Sequence, residues 1–178
     1  IPGLWGFVGV DLILTRQGPV VLEVNPRLTS CYPGLSRSLG VNVAEMLVGL
    51  ITQYRVTNLF GSPALMDTLS RHLAAHSATL PTVRRALSAG APVSPAVVER
   101  MHAALVDAAD LHTPYGATEC LPVSAIEAGD VLGETAAATE RGAGTCVGRP
   151  VAGVEVVILP ITETVREGFS AEETLPRG

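Results

Sequence analysis

Near the middle of the chain, His112-Thr113-Pro114-Tyr115-Gly116-Ala117-Thr118-Glu119 sets an aromatic ring, a glycine, a hydroxyl and a carboxylate in succession at the end of an apolar run. These types suit a nucleotide. The ring offers a flat face to a base, the glycine lets backbone amides approach a phosphate, the threonine can donate to a phosphate oxygen, and the glutamate can hold the accompanying Mg²⁺. They equally suit a strand running into a tight turn and a helix cap, with Thr118 as the cap and nothing bound. A second set lies near the start, where Asp11 precedes Glu23 and Asn25, with Arg27 just beyond. Three oxygen ligands could hold Mg²⁺ there and the guanidinium could clamp a phosphate, whereas scattered solvated acids on a hairpin are the plainer reading and the one that spacing favours. The third is Ser88-Ala89-Gly90-Ala91-Pro92, which closes an apolar stretch and on its own is a turn.

The elements that must position these groups can be read from periodicity. Val8 to Val24 forms two apolar runs around Thr15-Arg16-Gln17-Gly18-Pro19, a hairpin that puts Glu23 and Asn25 on one face. Gly40 to Leu47 has helical spacing. A strand is expected over Thr57 to Ser62, and a helix over Ala64 to Ala78 with Leu65, Leu69, Leu73 and Ala74 on one side. Another strand over Val83 to Ser88 leads to a helix opened by Ser94 and Pro95, with Glu99 and Arg100 on its outer face and Val97 where a capping box would need Glu or Gln. Strand, helix, strand, helix, strand with short connections implies parallel crossovers. Ligands then belong at the carboxyl ends of the strands, where both Gly90-Ala91-Pro92 and Tyr115-Gly116 fall. Beyond Glu119 the chain reads as loop to Gly144, followed by two strands around Pro150 and Gly153.

Composition narrows the function classes. The 178 residues are 47% hydrophobic, enough for a buried core, and the net charge is −5 without a basic cluster, which argues against a nucleic-acid partner. Cys31, Cys120 and Cys146 are odd in number and lack a C-x-x-C pair, so a disulfide framework is not expected and a cytoplasmic setting fits. The apolar opening is broken by Asp11 and has no basic start, so it supports neither a membrane span nor a signal peptide. His72 and His76 lie one helical turn apart without the glutamate of a metalloprotease motif and read as surface histidines. Gly142, Gly144 and Gly148 miss the dinucleotide fingerprint by one residue, and no helix follows.

From about Val56 to Gly178 the chain resembles the adenylate-forming (AMP-binding, acyl-CoA synthetase-like) ligases, most closely their olefin β-lactone synthetase branch. The resemblance is carried by V-T-N-L-F-G-S-P-A-L at 56–65, L-S-A-G-A-P at 87–92, H-T-P-Y-G-A-T-E at 112–119, G-E-T at 133–135 and E-R-G-A-G-T-C-V-G-R-P-V-A-G-V-E-V at 140–156. It implies that Gly90, Ala91 and Pro92 present backbone to adenine, that Tyr115 with Gly116 packs on the ring, that Thr118 binds phosphate, and that Glu119 ligates Mg²⁺. ATP and a carboxylic acid with a long acyl chain are the implied substrates. The branch lets a β-hydroxyl attack the acyl adenylate and close a β-lactone. Residues 2–48, with G-V-D-L-I-L and V-V-L-E-V-N-P-R-L-T, resemble the closing strands of ATP-grasp ligases, which implies Asp11, Glu23 and Asn25 as metal ligands and Arg27 as a phosphate contact.

The expected fold is therefore α/β: an incomplete parallel-sheet core of an adenylate-forming ligase with a small β segment (51–178), preceded by an ATP-grasp-like β-hairpin and helix (1–50). The family's phosphate loop, ribose-binding aspartate and lysine-bearing C-terminal domain have no counterpart in these residues, so the chain by itself is expected not to adenylate. An ATP-grasp carboxylate–amine ligase fragment and a non-catalytic α/β interaction domain are the alternatives.

Overall fold

The structure is a computed structural model that describes residues 8–25, 32–163, 168, 170 and 174. The expected hairpin forms from β1 (Gly9–Thr15) and β2 (Gly18–Asn25), paired antiparallel with a bulge where Leu12 meets Val21. Helix α1 (Tyr32–Leu39) follows, then α2 (Val43–Gln53), whose cap residue Asn42 accepts from the backbone amides of Ala44 and Glu45. Val43 of α2 is fully buried against Leu65, and Ile51 enters the main core, so this helix packs on the body of the molecule.

That body is a five-stranded sheet in the order β3 (Asn58–Gly61), β4 (Arg85–Ser88), β5 (Asp110–Ala117), β6 (Cys120–Glu127), β7 (Arg149–Pro150). β3, β4 and β5 are parallel, as the alternation of strands and helices requires. The crossovers are α3 (Pro63–Ala75) and α4 (Pro95–Ala104), both started by a proline at the first helical positions, where its missing N–H is no loss. Ser62 accepts from the Leu65 amide to cap α3, while Ser94 makes no side-chain cap bond on α4. Met66, Leu69 and Leu73 of α3 meet Val97, Val98 and Met101 of α4 over Ala86 and Leu111 of the sheet. Leu65, Leu69 and Leu73 are buried as their spacing predicts. Ala74 is exposed, and Met66 takes the inward place instead.

Three expectations are corrected. Cys120 to Glu127 is a strand, not loop, and returns antiparallel to β5 with Ala117 opposite Cys120. Pro122 is tolerated among its outer, exposed residues, while Ser124 and Ile126 farther along are buried. Residues 128–143 wind through short helical turns, and of the two strands expected around Pro150 and Gly153 only the two residues of β7 form, with an isolated bridge at Ile158. Arg100, expected on the outer face of α4, reaches across to α3, where its guanidinium pairs with the Asp67 carboxylate and donates to the Ser70 hydroxyl at 3.2 Å. No helix among the described residues is long and apolar enough to cross a membrane.

Candidate functional site

β4 and β5 run side by side and end together. Their register pairs Leu87 with His112, so one step on the two strands present Ser88 and Thr113, and the chain then departs as Gly90-Ala91-Pro92 from one strand and continues as Pro114-Tyr115-Gly116 on the other. A hollow of about 460 Å³ opens between them at the carboxyl edge of the parallel strands. One wall is Gly90, Ala91 and Pro92; the facing one is Thr113 to Gly116, with the Tyr115 ring half exposed. Tyr115 and Ala91, the two residues on which the nucleotide reading depends, thus share one cavity.

Gly116 is there for space. A Cβ at this position would meet the carbonyl oxygen of Cys120 and come within 2.9 Å of Leu121 Cδ1, because β6 folds back directly over it. Gly90 is there for conformation, with φ +96° in otherwise open surroundings, a backbone state that L side chains rarely adopt.

A third wall lies in the motif at 140–156, to which the sequence reading gave no role in the site. Thr145, Cys146 and Val147 close the hollow together with Leu121. They are held by β6: the buried Ser124 hydroxyl donates to the Val147 carbonyl at 2.7 Å, and Ala125 pairs with Arg149 just beyond. Every contact here joins residues more than 20 apart, which local spacing does not reveal. Among the described residues, the lining holds no carboxylate, ammonium, guanidinium or imidazole. It therefore suits an uncharged, partly apolar group, and charges on a ligand must lie outside it.

Thr118 and Glu119 do lie outside it. They form the two-residue turn between β5 and β6, both are exposed, and neither lines the hollow. The stretch read as one unit is thus divided: its strand half faces the cavity and its last two residues project beyond. Thr118 caps no helix, since a strand follows. One exposed carboxylate is compatible with Mg²⁺, which is commonly held by one or two carboxylates plus substrate phosphates.

On the hairpin, Asp11 and Glu23 are direct cross-strand partners, and the Asn25 side-chain amide approaches the Asp11 carboxylate at 3.5 Å. Glu23 and Asn25 share a face as their spacing predicts, and the cross-strand register adds Asp11 to it. Arg27 lies outside the described residues. His72 and His76 stack with ring centroids 4.3 Å apart, and among the described residues no group of three His, Cys, Asp or Glu side chains converges on a metal position.

A partly parallel sheet with helical crossovers and a hollow at the carboxyl ends of its strands is an α/β ligand-binding architecture. Residues 32–168 match the AMP-binding enzyme family, more than half of the chain, and the chain belongs to that family. Residues 1–31 match an ATP-grasp domain. Over 152 residues, 85% of this chain, it is 52% identical to the olefin beta-lactone synthetases of Xanthomonas campestris pv. campestris and of Stenotrophomonas maltophilia, and it spans 26% and 27% of their lengths. Over 48 residues it is 42% identical to the tyramine–L-glutamate ligase of Methanocaldococcus jannaschii, 27% of this chain and 15% of that one. Among solved structures, the amide bond synthetase McbA from Marinactinospora thermotolerans superposes with a TM-score of 0.53 at 28% identity, over 76% of this chain and 24% of McbA. VinN shares the fold at the same TM-score and 21% identity, over 74% of this chain and 29% of VinN.

Proposed function

We propose that the chain is a segment of a cytoplasmic ATP-dependent ligase that activates a carboxylic acid as its acyl adenylate, and that the hollow between Gly90-Ala91-Pro92 and Tyr115 seats the adenine. The convergence of these residues and Gly116 on one uncharged cavity carries the reading. A purine is flat and neutral, and a half-exposed tyrosine beside two prolines offers it the matching surface. The phosphates then lie toward the Thr118–Glu119 turn, where the threonine hydroxyl contacts them and the glutamate holds Mg²⁺. The acid is a long acyl or β-hydroxy acyl chain, and closure of a β-lactone is the finer reading, supported by the 52% identity to enzymes named for that product.

A direct test is AMP binding by the purified chain in equilibrium dialysis. Tyr115→Ala is expected to weaken it by the ~1–3 kcal/mol that base–aromatic stacking contributes; an unchanged affinity sinks the assignment of the hollow. ATP–pyrophosphate exchange with long-chain β-hydroxy acids is expected to be absent, because the hollow supplies no cation to a pentavalent phosphorus. Robust exchange by the chain alone overturns that expectation.

The ATP-grasp match over residues 1–31 supports a second role for the opening segment. In this reading 1–50 is the tail of an ATP-grasp ligase and 51–178 the partial adenylation domain. Asp11, Glu23 and Asn25 would hold a divalent metal and Arg27 a phosphate.

A further inference from the structure

The wall formed by Thr145, Cys146 and Val147 lies outside any strand. β7 starts only at Arg149, and its second residue, Pro150, stands opposite Ser124 without an N–H to give to the neighbouring strand. Side chains take over. Before the wall, the Thr139 hydroxyl donates to the Gly144 carbonyl at 2.8 Å; at its end, the Ser124 hydroxyl donates to the Val147 carbonyl at 2.7 Å. The two bonds bracket the three residues that line the hollow.

The two clamps are unequal. Thr139 is only partly buried and its bond reaches five residues along the chain, whereas Ser124 is 3% exposed and its bond spans 23 residues. A buried hydroxyl without a partner is costly, so Ser124 holds on to the Val147 carbonyl. The backbone comes close enough to allow it: a Cβ on Gly148, the next residue, would run into the Ala125 carbonyl. Ser124 itself does not line the hollow, and Val147 does.

We propose that Ser124 is a positioning residue for the ligand of this hollow, its hydroxyl fixing Thr145 to Val147 from behind so that this wall meets an adenylate seated against Tyr115 and Gly90-Ala91-Pro92; the inference rests on the adenylate reading above. A ligand gains from a wall already in place, because a loose one must be ordered at the moment of binding. Thr139 does not replace the buried clamp, since its bond ends at Gly144, before the lining residues.

The test reads the wall as well as the affinity. A nitroxide on Cys146, in a Cys31→Ser, Cys120→Ser background, reports the mobility of the ligand-free wall, and equilibrium dialysis gives the AMP affinity of the unlabelled chain. Ser124→Ala is expected to sharpen the nitroxide spectrum and to weaken AMP about fivefold, the size of one neutral hydrogen bond. A hydroxyl that serves only the fold would lower the urea midpoint and leave both readings of the folded chain unchanged, and that result overturns the inference. So does a mobile wall with unchanged AMP affinity, or weaker AMP binding with an unchanged spectrum. If the parent binds AMP and only the Ser124 effects are missing, the adenylate reading stands; if the parent does not bind AMP, both fall.

Discussion

The hairpin and the α/β body treat similar apolar side chains in opposite ways. On β1 and β2, Val10, Leu12, Ile13, Leu14, Val20, Val21 and Leu22 are between 46% and 79% exposed, whereas Met66, Leu69, Leu73, Val98 and Met101 of α3 and α4 are exposed by 1% or less. Both regions satisfy their backbone hydrogen bonds, one through a ladder and the other through helices, so hydrogen bonding does not separate them. Burial does. A two-stranded hairpin is marginal in water, while the packing of α3 and α4 on each other and on the sheet supplies the transfer energy that holds the body. The candidate adenylate hollow lies in the well-packed region, and the candidate metal face of Asp11, Glu23 and Asn25 lies on the exposed one.

Substitutions can break or sharpen that contrast. Leu73→Ala, which empties a fully buried position, is expected to cost about 2–5 kcal/mol in urea unfolding, whereas Leu14→Ala on the hairpin stays within about 0.5 kcal/mol. Equal losses would mean that the hairpin is buried in solution. Gly116→Ala, with its Cβ driven into the Cys120 carbonyl, is expected to destabilise by about 1–3 kcal/mol and to abolish AMP binding. Gly90→Ala has open space and is expected to cost about 1–2 kcal/mol from its backbone conformation alone.

For the metal, Glu119→Gln is expected to weaken Mg²⁺-dependent ATP binding about tenfold, or ~1.4 kcal/mol, while the pair Asp11→Asn and Glu23→Gln leaves it unchanged. The reverse pattern in dialysis would transfer the nucleotide to the hairpin and favour the ATP-grasp reading. The smallest effect concerns Asp67, which pairs with two arginines. Arg100→Ala, at a side chain only a quarter exposed, is expected to cost about 1 kcal/mol, and Arg71→Ala, 69% exposed, less than about 0.5 kcal/mol.

Much of this was legible because it is local. The hairpin follows from two apolar runs around Gly18-Pro19, α3 from its leucine spacing, α4 from its serine–proline start, and the parallel order of β3, β4 and β5 from their alternation with helices. Two walls of the hollow were marked by Gly90-Ala91-Pro92 and Tyr115-Gly116. β6 was hidden by Pro122 and by a turn, Thr118–Glu119, that lacks the Asn or Gly typical of tight hairpins. Missing β6 also concealed the wall of Thr145 to Val147, because β6 is what fastens it. The Ser124 clamp was beyond sequence reasoning altogether, since a serine gives no sign of a carbonyl awaiting it 23 residues on.

The three walls come from stretches near residues 90, 115 and 146, brought together over long detours of chain. A molecule lodged among them would act as a staple across two such detours at once, though none of its contacts need be strong. Because only the folded arrangement offers those contacts, the grip on the guest is repaid as resistance to heat, and the melting point of the chain becomes a gauge of occupancy.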